Sequence, residues 1–176
     1  MENKADLKLF EQAKMFAVRN HGLQEYDGFP YHKHLDDVDE VVQRYSDKIK
    51  YRIAAWLHDI IEDTPVSYND ILSQFGKEIA EIVFCVTDEM GRNRAEKKPK
   101  TYPKIKSNSD AIFVKLCDRI ANIESGIKTG NSMGKKYMKE HPEFKKELFT
   151  EGVWEHVWKD LDLLIDKIKE RELAKV

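Results

Sequence analysis

Four side chains able to do chemistry fall between positions 58 and 63: His58, Asp59, Glu62 and Asp63, inside Arg52-Ile-Ala-Ala-Trp-Leu-His-Asp-Ile-Ile-Glu-Asp-Thr-Pro65. Read as a helix, Ile53, Trp56, Leu57 and Ile60 follow the i, i+3, i+4, i+7 spacing of a buried stripe. The four polar residues then share the opposite arc, one turn long. Pro65 disfavours helical geometry at Thr64, so the helix should stop just after Asp63. Three carboxylates crowd the end of a helix that already carries the negative pole of its dipole, where a cation is welcome. A divalent metal ion would resolve the conflict, because imidazole and carboxylate are ligands for such ions. The alternative is a solvated face with a chance His-Asp neighbour pair. Glu62 and Asp63, one turn on and against so apolar a stripe, favour a site.

The elements that must position these groups read as helices throughout. Asp6 to His21 has helical period in Leu7, Phe10 and Ala17, and Gly22 to Pro30 is a loop. His34 stands in the first turn of a second helix, whose stripe is Leu35, Val38, Val41 and Val42. Lys48 to Asp63 is the third. A short helix over 67–75 and a longer one to about Asp88 follow. Asp110 to Ser125 is strongly helical, with Asp118, Arg119 and Asn122 set among apolar residues. An Asp there is costly unless it is paired or ligating. After a loop over 126–134, a turn of helix spans 135–140. His141-Pro142 opens another helix, and a long amphipathic one carrying Trp154 and Trp158 as core residues closes the chain. No stretch has strand period, and the fold class is all-α. Residues 1–176 read as one domain, with a core over roughly 6–130 and the helices of 131–176 packed on it.

Residues 89–109 differ. They hold seven basic residues, two prolines and few apolar side chains, which predicts a mobile loop or lid. Lys97, Lys98 and Lys100 are its candidates for contact with an anionic substrate; a solvated surface is the alternative.

Composition excludes some functions. With a net charge of −2, no global field recruits nucleic acid or an anionic membrane. No apolar run approaches the length of a membrane span. Cys85 and Cys117 lack CxxC spacing and read as buried thiols of a reducing compartment. A cytoplasmic protein with a small-molecule partner is expected, and nothing in the pattern fixes an oligomeric state.

His34, His58, Asp59 and Asp118 come from three separate predicted helices. Projected into a bundle core, these mixed nitrogen and oxygen ligands would hold a divalent metal and leave positions for water and substrate. In the order H…HD…D the sequence resembles the HD-domain phosphohydrolases. More narrowly, four blocks resemble the alarmone hydrolase domain of RelA/SpoT-type enzymes and the stand-alone small alarmone hydrolases, which hydrolyse (p)ppGpp. They are Gly28-Phe-Pro-Tyr-His-Lys-His34-Leu, Ala55-Trp-Leu-His-Asp-Ile-Ile-Glu-Asp-Thr, Phe75-Gly with Val86-Thr-Asp, and Val114-Lys-Leu-Cys-Asp-Arg-Ile-Ala-Asn122.

The resemblance implies a compact HD-type helical bundle with a metal site in its core. It implies Mn2+, or another divalent transition metal, on His34, His58, Asp59 and Asp118, and removal of a 3′-pyrophosphate from (p)ppGpp. Glu62 and Asp63 match the acidic pair that handles the attacking water, and Asn122 and Ser125 match positions lining the nucleotide pocket. Two departures touch substrate recognition rather than metal chemistry. The basic pair expected after the first helix is absent from Leu23-Gln-Glu-Tyr-Asp-Gly28, and Ala121 and Glu124 replace a His and an Arg. An HD phosphohydrolase for another nucleotide, such as a nucleoside phosphate or cyclic nucleotide, is the second reading. A non-catalytic metal-containing nucleotide sensor is the third.

Overall fold

A computed structural model of the chain describes residues 4–174. Among them, in order, are α1 (Lys4–His21), β1 (Glu25–Tyr26), β2 (Phe29–Pro30), α2 (His32–Tyr45), α3 (Ile49–Leu57), α4 (Ile60–Asp63), α5 (Tyr68–Phe75), α6 (Lys77–Val86), α7 (Arg94–Lys106), α8 (Ser109–Thr129), α9 (Met133–Leu148) and α10 (Glu155–Leu173). The all-α class holds. No helix among the described residues is long and apolar enough to cross a membrane.

α8 is buried along most of its length, from Ala111 to Ile123, and forms the axis of the bundle. Two hydrophobic clusters pack around it and its neighbours. One joins α8, α9 and α10 to α6 and to the far face of α2, through Phe113, Leu116, Ile120, Phe144, Trp158 and Leu161. The other joins α1, α3, α5 and the near face of α6, through Phe10, Leu35, Ile53, Trp56, Leu57 and Ile71. α2 is clamped to α3 by Asp39, 3% exposed, whose carboxylate takes both Nε and Nη2 of Arg52 at 2.8 and 2.9 Å. That pair fixes the helix carrying His34 against the helix leading to His58.

Four expectations are corrected. The helix over 48–63 is two helices, because Asp59 lies at φ −100°, ψ 0°, outside helical geometry. Glu62 and Asp63 therefore sit on the short α4, not at the repelled end of a long dipole. The loop 22–30 contains a small antiparallel hairpin pairing Glu25 with Pro30 and Tyr26 with Phe29. Its turn residues Asp27 and Gly28 both have positive φ, 52° and 79°, the requirement of a two-residue type I′ turn, which Asp-Gly meets. The predicted lid is largely α7. Asn93 caps it by accepting the Glu96 N–H, and Thr101, Tyr102 and Ile105 bury one face despite Pro99 and Pro103. Composition hid that stripe because it is sparse. Finally, Met133 to Leu148 is one helix through Pro142, with Tyr137, His141, Phe144 and Leu148 buried at 3–4 residue spacing.

Candidate active site

Three elements converge on one point. His34 comes from the first turn of α2, His58 and Asp59 from the break between α3 and α4, and Asp118 from mid-α8. The break is what lets two consecutive residues aim together, since neighbours on a continuous helix point about 100° apart. Ligand atoms of His34, His58 and Asp59 all lie within 4.8 Å of one another. Asp118 Oδ1 stands 3.4 Å from His34 Nε2 and 3.7 Å from His58 Nε2, and Asp59 Oδ2 stands 2.9 Å from His58 Nε2.

The donor set fits a divalent cation. His58 Nδ1 donates to the carbonyl of Ala55 at 2.7 Å, so Nε2 is the atom left facing the cluster. That Nε2 is fully buried and makes no hydrogen bond of acceptable direction, although a carboxylate oxygen is near. A lone pair aimed between carboxylates is what a metal ligand looks like. Without an ion, the neighbouring carboxylates favour a proton on this nitrogen. Burial disfavours the imidazolium, but Asp59 and Asp118 outweigh it and push His58 up to about 10. Metal binding near neutral pH should therefore release a proton. Affinity should rise with pH above neutrality and level off above His58's titration. Calorimetry in buffers of different ionisation enthalpy would read that proton, and a pH-independent affinity would contradict the assignment.

The surroundings hold the carboxylates in place. Tyr31 OH donates to Asp59 Oδ2 at 2.5 Å, and burial together with Asp59 raises its phenol so far that it remains a donor. Asn122 Nδ2 donates to Asp118 Oδ1 at 2.5 Å, and its Oδ1 accepts from Tyr26 OH. Lys115 Nζ donates to Asp118 Oδ2 at 2.8 Å. Burial works against the Asp118 charge, yet Lys115 and the two imidazoles hold its carboxyl well below the ordinary range.

A cleft of about 220 Å³ opens over the cluster. Glu62 and Asp63 line one wall. Glu62 accepts from the Asp88 N–H at 3.2 Å and from Lys97 Nζ at 3.4 Å, while Asp63 accepts from Gln24 Nε2 at 2.9 Å. Gln24 is set by His21, whose ring stacks on Tyr31 with centroids 4.4 Å apart. Arg94, Lys98, Lys115 and Lys136 line the same cleft. Lys98 pairs with Asp88 at 2.7 Å; burial and the nearby Lys115 pull its ammonium down to about 8.

Of the residues singled out in the sequence, His34, Asp59, Asp118, Glu62, Asp63, Asn122 and Lys98 line this cleft, and His58 is buried against them. Lys97 reaches only Glu62. Lys100 is not brought to it: α7 turns that side chain outward, and its Nζ donates to the carbonyl of Met90 at 2.9 Å. A flexible loop could have presented all three lysines, whereas a helix presents one face. Ser125 lines a neighbouring cavity. Sequence reasoning missed Tyr26, Tyr31, Gln24, Arg94, Lys115 and Lys136. Only Lys115, three residues before Asp118 on the same helix, left a usable signal.

A helical bundle with a buried His-His-Asp-Asp cluster under an acidic and basic cleft defines a class of metal-binding domain. The chain belongs to the HD-domain family, whose model, described as HD domain, matches residues 13–141. It is 32% identical over 127 residues to the bifunctional (p)ppGpp synthase/hydrolase SpoT of Escherichia coli (strain K12), covering 68% of this chain and 18% of that protein. It is 31% identical over 114 residues to the guanosine-3′,5′-bis(diphosphate) 3′-pyrophosphohydrolase MESH1 of Danio rerio, covering 61% of this chain and 63% of that one. The chain thus spans less than two thirds of the length of either relative. A solved structure described as "A metazoan ortholog of SpoT hydrolyzes ppGpp and plays a role in starvation responses" superposes with a TM-score of 0.75 at 21% identity, over 98% of both chains, and shares the fold.

Proposed function

We propose that this chain is a metal-dependent hydrolase that removes the 3′-pyrophosphate of (p)ppGpp or a closely related nucleotide. One observation carries the reading: carboxylates Glu62 and Asp63 line the same cleft as His34, Asp59 and Asp118, together with four cations. Homology to SpoT and MESH1, whose names state this activity, supports it. His34, His58, Asp59 and Asp118 hold the ion, and manganese suits their mixed nitrogen and oxygen donors. When bound, the ion lowers the pKa of water and neutralises phosphoryl charge.

The remaining work falls to the chain. Glu62, fixed by the Asp88 amide and Lys97, accepts the proton of the attacking water. Asp63, fixed by Gln24, orients that water. Lys98, with Arg94, Lys115 and Lys136, faces the phosphates. The water oxygen bonds to the phosphorus attached to the ribose, the bond from that phosphorus to the 3′-oxygen breaks, and pyrophosphate leaves. The proton taken from water is balanced by the one the 3′-oxygen gains. Asn122 keeps Asp118 in register from within the cleft. The buried free thiols of Cys85 and Cys117 support a reducing compartment such as the cytoplasm.

Purified protein loaded with manganese should convert guanosine 3′,5′-bis(diphosphate) to guanosine diphosphate and pyrophosphate, read by chromatography. Chelation should abolish turnover, and manganese should restore it better than calcium, which prefers oxygen ligands alone. Full activity after exhaustive chelation would sink the reading. Hydrolysis of another nucleotide is the second reading, and the acidic loop after α1 favours it.

A further inference from the structure

One cation of the cleft stands where its own helix repels it. Arg94 is the first residue of α7, at the positive end of the helix dipole. It is held there by Glu140 of α9, whose Oε1 and Oε2 accept from Nε and Nη2, each at 2.9 Å. This two-pronged pair uses two of the five guanidinium N–H groups and leaves three for a ligand. Glu140 is itself set from the core. Its Oε2 lies 3.7 Å from Nη1 of Arg119, which is 3% exposed and follows Asp118 on α8. Arg119 is fixed against α9. Its Nη2 donates to the Tyr137 carbonyl at 3.1 Å, and its guanidinium carbon lies 4.1 and 4.6 Å from the ring centroids of Phe144 and Tyr137. Burial works against the Glu140 charge, yet Arg94, Arg119 and Lys136 hold its carboxyl below the ordinary range.

Resting on the reading above, we propose that Glu140 is a positioning residue, which holds the Arg94 guanidinium in place to meet the phosphates of the substrate. Glu140 does not itself line the cleft, so its effect on a ligand passes through Arg94. The contacts run from Arg94 through Glu140 to Arg119, and Arg119 shares α8 with Asp118. A cation carried by α7 is thereby registered to the helix that carries Asp118. The ordering of a long side chain is completed before the ligand arrives, which favours binding. Glu140 also offsets the Arg94 charge, and that alone would weaken a phosphate contact. Its single charge is shared among Arg94, Arg119 and Lys136, however, so the group stays net positive. Nor is the pair needed to dock α7. Thr101, Tyr102 and Ile105 are buried, and Lys98 and Lys104 pair with Asp88 and Glu89.

The test is a double-mutant cycle of Arg94→Ala and Glu140→Gln in the manganese-loaded protein. It reads kcat and KM for guanosine 3′,5′-bis(diphosphate), and the affinity for inorganic pyrophosphate by calorimetry. Glu140→Gln should raise KM and weaken pyrophosphate binding about tenfold while kcat changes less than about twofold, the pattern of binding lost equally from ground and transition states. In the Arg94→Ala background, Glu140→Gln should add nothing further. Arg94→Lys keeps the charge and loses the two-pronged pair with Glu140 intact. It should reproduce the loss, which decides the matter even if Glu140→Gln folds poorly. Wild-type pyrophosphate affinity in Glu140→Gln or Arg94→Lys, an equal loss with and without Arg94, or no pyrophosphate binding by the wild type overturns the proposal. Turnover decides the activity separately: the expected pattern of pyrophosphate binding with no nucleotide hydrolysis refutes the pyrophosphohydrolase reading and leaves the role of Glu140 standing.

Discussion

Asp118→Ala should lose the metal and a large part of the protein's stability together. The carboxylate faces both imidazoles and also neutralises Lys115, whose side chain is only 17% exposed. Lys115 keeps its charge because Asp118 and Asp59 more than offset the cost of burial. Removing one partner of a buried pair leaves the other uncompensated, at a cost of about 3–5 kcal/mol. For a chain of this size that lowers the melting temperature by roughly 6–20 °C. Adding Lys115→Met should recover most of the stability and none of the metal, which separates the ion pair from the ligand role. Elemental analysis and thermal unfolding read the two quantities. Wild-type metal content in Asp118→Ala would remove Asp118 from the ligand set.

Glu62→Gln should do the opposite, keeping the metal and the fold while turnover falls about 10²–10⁴-fold. Glu62 lines the cleft and is held by the Asp88 N–H and Lys97, whereas Asp118 faces the two imidazoles. Glutamine has the same shape, and its carbonyl oxygen can still accept the Asp88 N–H that Glu62 Oε2 accepts at 3.2 Å. What it cannot do is take a proton from water. The loss should appear equally in kcat and kcat/KM, since the missing interaction belongs to the transition state. Metal loss comparable to that of Asp118→Ala would mean that Glu62 is a ligand, not a base.

These expectations lean on features that differ in how plainly the sequence announces them. The His-Asp stretch stood out because carboxylates beside an apolar stripe break a local rule, and Asp118 stood out because a lone acid in an apolar helix needs a partner. Such signals survive without coordinates. The break at Asp59 left no trace, because no Gly or Pro marks it; tertiary packing, not local preference, holds it. Asp27-Gly28 is a recognisable turn, yet strands two residues long have no period to detect. α7 was hidden by its lysines, whose partners Glu62, Asp88 and Glu89 lie elsewhere in the chain or before the helix begins. Tyr26 and Tyr31 act through contacts spanning 96 and 28 residues, which no local pattern encodes.

The cluster also joins the two hydrophobic cores. Leu57 and Ile60, flanking His58 and Asp59, belong to one of them, and Leu116 and Ile120, flanking Asp118, belong to the other. An ion held between them splices the halves, and because it binds the folded chain it adds stability that grows with the logarithm of its free concentration. In a cell, proteases remove the unfolded fraction. On the proposed ligand set, the steady-state amount of this protein would be tied to metal supply: scarcity would deplete the protein as well as empty its site.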